Sequence, residues 1–179
     1  MGLDQYLNKK TYIGNKWKDK NPETMIRLEK STDPETQEMV TGIKSHRIKE
    51  ITEEVAYWRK ANAIHKWFVD NVQNGKDDCG EYYVSQKQLK ELLDRCNKVI
   101  AASKLVKGKI KNGERFTMED GTYIEDSTVA RELLPVAEEF FFGSTAYDEW
   151  YLDNIKYTKE VIEAAIAEKH GEFYYSSSW

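Results

Sequence analysis

The chain has 179 residues, of which 40% are hydrophobic and 32% charged, with a formal net charge of −4. These values fit one globular domain, 1–179, with enough apolar surface for a core, and they remove the general counterion-release drive toward duplex nucleic acid. Two cysteines, Cys79 and Cys96, stand outside any CxxC and point to a reducing compartment without a zinc cluster or disulfide scaffold.

The N-terminus carries no signal-like segment and no apolar run reaches a membrane span, so a cytoplasmic location without membrane partners is expected. An apolar segment from Leu3 and Tyr6 to Ile13 reads as β structure, Met25–Leu28 as a short strand, and Asp33-Pro34 as a turn before Met39-Val40. The polar stretch 15–50 reads as an elaboration, and a further strand leads from Ile48, Ile51 and Val55 into Tyr57 and Trp58.

Helical spacing predicts a first helix over about 59–73, with Ile64, Trp67, Phe68, Asn71 and Val72 on one side and Asn62, Lys66 and Asp70 on the other. Ser85 with Gln88 forms a capping box that opens a second helix, striped by Leu89, Leu92, Leu93, Cys96, Val99 and Ile100. A third runs over about 145–169 on Tyr151, Ile155, Thr158, Ile162 and Ile166, with Gly171 ending it. Between the last two, Asn112-Gly113 and Asp120-Gly121 are placed as hairpin turns flanking Arg115–Met118, an insertion over about 105–126. Phe140-Phe141-Phe142 reads as a buried strand, and Glu172–Trp179 as an exposed aromatic strand that invites pairing across a subunit interface. The expectation is an α+β fold, a small antiparallel sheet packed by about three helices, assembled as a homo-oligomer.

Standard catalytic signatures are missing: the sequence has no GxSxG, P-loop, GxGxxG, HExxH or DxDxDG. His46, His65 and His170 are far apart, and a metal site would have to be assembled from Asp77, Asp78, His65, Asp148 and Glu149, which their spacing does not support. No metal and no cofactor are expected. Two stretches nevertheless concentrate chemistry. Trp58, Arg59, Asn62, His65 and Lys66 put an indole, a planar cation, an amide, an imidazole and an ammonium on one short segment, where Arg59 suits carboxylate or phosphate. Gly143, Ser144 and Thr145 would bring hydroxyls and free N–H groups to the start of the third helix, an anion-binding position. Tyr147, Asp148, Glu149 and Trp150 follow directly.

Each has a structural alternative. His65 could be a buried histidine donating to a carbonyl, Trp58 and Trp67 core anchors, and Arg59 and Lys66 a solvated face. Ser144 or Thr145 could simply cap the helix with Tyr147 or Asp148 at N3, and Asp148 and Glu149 would repel a phosphate. Asp77 and Asp78 could bind a cation, orient Arg59, or only solvate a turn.

With W-R-K-x-N-x-I-H-x-W-F over Trp58–Phe68, D-D-C over Asp77–Cys79 and F-F-F-G-S-T-x-Y-D-E over Phe140–Glu149, the chain resembles a family of small proteins encoded by bacteriophages and prophages, of unassigned activity. The resemblance implies an infected bacterial host as the setting and the two longer motifs as the site. The expected function is therefore binding: a phage accessory protein that counters host defence by sequestering a nucleotide-derived signal or docking on a defence protein. One alternative is a small enzyme of nucleotide or phosphoester chemistry using His65, Arg59 and Asp148. Another is a structural homo-oligomer without ligand.

Overall fold

The computed structural model describes residues 2–13, 47–111, 118–137 and 143–179. The sequence-expected strands at Met25–Leu28 and Phe140–Phe142 and the turns at Asp33-Pro34 and Asn112-Gly113 lie outside the described residues. In chain order the elements are β1 (Asp4–Tyr12), β2 (Glu50–Arg59), α1 (Asn62–Asn71), β3 (Tyr82–Val84) and α2 (Gln86–Ala102). They continue as β4 (Leu105–Lys111), β5 (Met118–Ile124), α3 (Thr128–Leu133), α4 (Glu149–Ala167) and β6 (Glu172–Ser178). The architecture is α+β, a four-stranded antiparallel sheet in the order β2-β1-β6-β3 beside a two-stranded β4-β5 ribbon.

Alternation explains the sheet. Gln5 and Leu7 in β1, Ala56 and Trp58 in β2, and Phe173, Tyr175 and Ser177 in β6 all turn inward and are buried. The aromatic tail is thus not the exposed, subunit-pairing edge expected from sequence. β6 lies inside the sheet, with Leu7 opposite Tyr175 on one side and Tyr82 opposite Tyr175 on the other, so its own chain satisfies both backbone edges. Inside, the Tyr175 ring stacks on Phe68 of α1 at 3.9 Å between centroids and 8° between planes.

Local chemistry sets the helix ends. Ser85 Oγ accepts from the Gln88 N–H at 3.3 Å and Gln88 Oε1 accepts from the Ser85 N–H at 2.9 Å, closing the capping box that starts α2. The Gln88 amide also donates to the Asn71 carbonyl at 2.6 Å, tying α2 to the end of α1. After α4, Gly171 takes a φ of 100°, which favours glycine, and turns the chain into β6. α2 packs against α4 through Leu89, Leu92, Cys96 and Val99 facing the Ile155, Ile162 and Ala165 side of α4. Burial pushes the Cys96 thiol up to about 12 and makes it inert at neutral pH. Leu92 and Ile162 are both 0% exposed. Leu92→Ala and Ile162→Ala should each cost ~2–5 kcal/mol by chemical denaturation, and an unchanged midpoint would mean those faces are not core.

The ribbon differs from the two-turn expectation. Asp120 and Gly121 are strand residues opposite Lys109 and Gly108, so Asp120-Gly121 is no turn. A Cβ on Gly108 would stand 2.4 Å from the Tyr123 ring, which explains the glycine there. The base of the ribbon is part of the core. Ile124 is 3% exposed, and its N–H donates to the Tyr147 carbonyl at 2.9 Å. Helix α3 had no clear signal in sequence, and at six residues it is short enough to escape periodicity. Among the described residues no helix is long and apolar enough to cross a membrane.

Candidate functional site

β2 runs to Arg59, and Lys60 then reverses the chain with a φ of 57°, a left-handed conformation that side chains other than glycine and asparagine seldom adopt. It is held there by its N–H donating to the Leu3 carbonyl at 2.8 Å and its carbonyl accepting from the Asn62 N–H at 3.0 Å. Gly143, itself at a φ of 101°, packs against this turn; a Cβ on it would lie 3.0 Å from Lys60 Cβ and 3.2 Å from the Lys60 carbonyl. Strained residues that packing over-determines concentrate at binding sites. Because Lys60 spends the turn, α1 starts at Asn62 and not at Arg59.

The two motif regions meet here. Asn62, 4% exposed rather than on a polar outer face, donates from Nδ2 to the Ser144 carbonyl at 2.9 Å. Between the end of β2, the start of α1 and the first turns of α4 lies a cavity of about 490 Å³, within the usual size range of small-ligand sites. Of the residues expected at a site, Trp58, Arg59, Asn62, Ser144, Asp148 and Trp150 line it. Lys60 and Asn154 also line it and were not anticipated. Asn154 follows Trp150 by one helical turn, a spacing that could have flagged it; Lys60 is placed by a backbone conformation with no sequence signal. Arg59 and Lys60 are exposed and make no ion pair among the described residues. Trp150 is 72% exposed.

Trp58 is a wall, not a stacking platform. It is 1% exposed, its indole N–H donates to Thr158 Oγ1 at 2.9 Å, and Tyr157 meets it edge-on. Asp148, not Ser144 or Thr145, is the N-cap of α4, its Oδ1 accepting from the Tyr151 N–H at 2.9 Å. The Tyr123–Asp148 bridge and the Ile124–Tyr147 bond fix where the helix begins. The Tyr151 N–H at the helix start is therefore taken by the chain's own carboxylate. Ser144 Oγ instead accepts from the Ala146 N–H at 3.1 Å.

Gly143, Thr145, Tyr147, Glu149, His65 and Lys66 fall outside the cavity lining. Tyr147 is turned into the core, its hydroxyl accepting from the Val136 N–H at 3.2 Å and its ring tilted on Tyr151 at 4.9 Å. Lys66 pairs with Asp70 at 2.9 Å along α1. His65 is 1% exposed, with Nδ1 2.8 Å from the Tyr175 hydroxyl and Nε2 2.8 Å from Asp77 Oδ2. His65, Arg59 and Asp148 thus do not converge as a catalytic group. Asp77 orients His65 rather than Arg59, and its Oδ1 accepts from the Trp179 indole at 3.1 Å. Asp78 pairs with Lys76 at 2.7 Å and accepts from Tyr82, contacts that hold its carboxyl down at about 2.

Burial raises Asp148 above the ordinary carboxylate range, against the backbone N–H groups that lower it. A raised folded-state value gives a stability contribution that is present below the unfolded value and lost as pH rises through the folded one. Asparagine caps a helix as well as aspartate. Asp148→Asn should therefore melt with the wild type at acid pH and no lower than it at pH 7, read from thermal melts across that range. A variant markedly less stable at pH 7 would show that the charge itself stabilises the cap.

Compared with protein-family models, with curated proteins and with solved structures, the chain finds no match.

Proposed function

We propose that the protein binds, in the cavity between β2, α1 and α4, an anionic ring-bearing small molecule of the nucleotide class, and that it acts by sequestering it. The observation that carries the reading is the pair Arg59 and Lys60, exposed and without ion-pair partners among the described residues, beside a cavity whose lining includes Trp150. A guanidinium and an ammonium offer a phosphate or carboxylate charge-assisted hydrogen bonds, and the indole offers a face to a ring. The biological setting, a phage accessory protein countering a host defence signal in the cytoplasm of an infected cell, rests on the resemblance of the Trp58–Phe68 and Phe140–Glu149 motifs.

Mass spectrometry of the small molecules released when the purified protein is denatured tests this. A sequestering protein releases an intact nucleotide-like molecule, and an enzyme releases one chemically altered. A protein that docks on a defence protein, or a homo-oligomer without ligand, releases nothing. Arg59→Ala gives the matching genetic test. It should abolish ligand capture while leaving the melting temperature within a degree or two, because an exposed side chain without an ion pair contributes little to folding. A large loss of stability would reassign Arg59 to a structural role.

A further inference from the structure

We propose that the outer face of the four-stranded sheet is a docking surface for a basic protein segment, an extended stretch that presents two arginine or lysine side chains to tyrosines and carboxylates. Only Tyr57 and Arg59, at the end of β2, border both this face and the cavity, so the surface is largely separate from the ligand site.

Register decides which side chains share the face. In β1, Tyr6, Asn8, Lys10 and Tyr12 alternate with the inward Gln5 and Leu7. Tyr6 stands opposite Tyr57 of β2, Asn8 opposite Tyr174 of β6, and Tyr174 opposite Tyr83 of β3. Five of the chain's eleven tyrosines therefore lie on one side of one sheet. Tyr12, Tyr57 and Tyr83 are 55%, 39% and 53% exposed. Exposed aromatics scattered singly need no explanation, whereas tyrosines gathered on one surface are the composition of a protein interface. They form two groups, each with a carboxylate. Tyr6 and Tyr57 pack at 5.4 Å between centroids, and the Tyr57 hydroxyl donates to Asp4. Tyr83 meets Tyr174 edge-on at 5.8 Å, the Tyr12 and Tyr174 hydroxyls are 3.5 Å apart, and Tyr174 donates to Glu172 at 2.8 Å.

Charge says what the face accepts. Asp4, Glu50, Glu54 and Glu172 share it with two cations, Lys10 and Arg59. Lys10 is engaged within the chain, bonded to Glu81 and lying 4.8 Å over the Tyr174 ring. That contact displays the chemistry, an ammonium held between a tyrosine ring and a carboxylate. Glu54 is exposed and has no ion-pair partner among the described residues. A nucleic-acid backbone would meet net negative charge here, and a second copy docking face to face would set that charge against itself. A cationic segment meets neither penalty. Strand spacing and rise put the two tyrosine groups about 12 Å apart, which an extended segment spans in about four residues, a separation that returns both side chains to the same side.

Fluorescence anisotropy of short labelled peptides with the full chain tests the surface. A glycine-serine peptide carrying two arginines at that spacing should bind about tenfold or more tightly than the same peptide carrying two glutamates, and its binding should weaken as salt rises. Tyr83→Ala and Glu54→Lys should each weaken it about two- to fivefold with the melting temperature nearly unchanged, because both side chains are exposed. Equal binding of the two peptides, or variants that bind the arginine peptide as the wild type does, would overturn the proposal. Tighter binding of an oligothymidylate would assign the face to single-stranded nucleic acid. A concentration-dependent mass in light scattering that Tyr83→Ala abolishes would assign it to a second copy, and either result counts against the proposal. The wild-type comparison of peptides holds whether or not a variant folds.

Discussion

Deleting residues 172–179 should abolish folding, not dissociate an oligomer. β6 lies between β1 and β3, so its loss leaves two strand edges facing a gap in the middle of the sheet. It also removes Phe173 and Tyr175, at 2% and 0% exposure, and with Tyr175 the ring stacked on Phe68. Truncating one buried aromatic costs ~3–5 kcal/mol, and two together approach the whole stability of an ordinary domain, about 5–15 kcal/mol. Far-ultraviolet circular dichroism of the truncated chain should show no cooperative thermal transition. A sharp transition in the truncated protein, with only a smaller mass in light scattering, would return β6 to the surface. Trp179→Ala is the mild control. It removes one indole beyond the end of β6, bonded to Asp77, and should leave a cooperative transition at a somewhat lower temperature.

What the sequence could and could not reveal divides along the range of the interactions. The start of α2 is legible because Ser85 and Gln88 are three residues apart and satisfy each other's backbone whatever surrounds them. The stripes of α2 and α4 are legible because period alone selects the buried face. Alternation in β6 likewise says which of its residues turn inward, but not which strands flank it. Pairing with β1, more than 160 residues away, is a tertiary choice, as the Leu7–Tyr175 register shows. The resemblance implies one site from the two longer motifs, and the atom that links them is the Ser144 carbonyl and not its hydroxyl. Three residues able to cap a helix, Ser144, Thr145 and Asp148, stand close together. The bonds from Tyr123 and Ile124 of the ribbon select Asp148, and nothing local distinguishes it. Lys60 is the limiting case: propensity argues against a left-handed lysine, and the contacts with Leu3, Asn62 and Gly143 override it.

His65→Ala should destabilise the protein strongly, while leaving the cavity lining untouched. The bonds of the buried network run from Gln5 through Tyr175 to His65 and Asp77. The Ala61 carbonyl can only accept, so the Gln5 amide donates to it from Nε2 at 3.2 Å and turns Oε1 toward Tyr175. The Tyr175 hydroxyl donates to that oxygen at 3.0 Å and lies 2.8 Å from His65 Nδ1. On the other side of the ring, Asp77 engages Nε2, and Asp77 in turn receives the Trp179 indole. The imidazole therefore joins β1, β6 and the turn after α1 through side chains that are largely out of water. Removing it leaves Asp77 with the Trp179 indole alone and takes a partner from a phenol at 0% exposure, and burial already disfavours ionising that phenol. Leaving a buried polar partner unsatisfied typically costs about 1–3 kcal/mol, against ~0.5 kcal/mol or less for an exposed change such as Arg59→Ala. Urea denaturation of the two variants side by side should show that contrast, and ligand capture by any folded His65→Ala protein should persist. A His65→Ala variant as stable as wild type but unable to capture ligand would reverse the assignment, making the histidine part of the site and the network incidental to the fold.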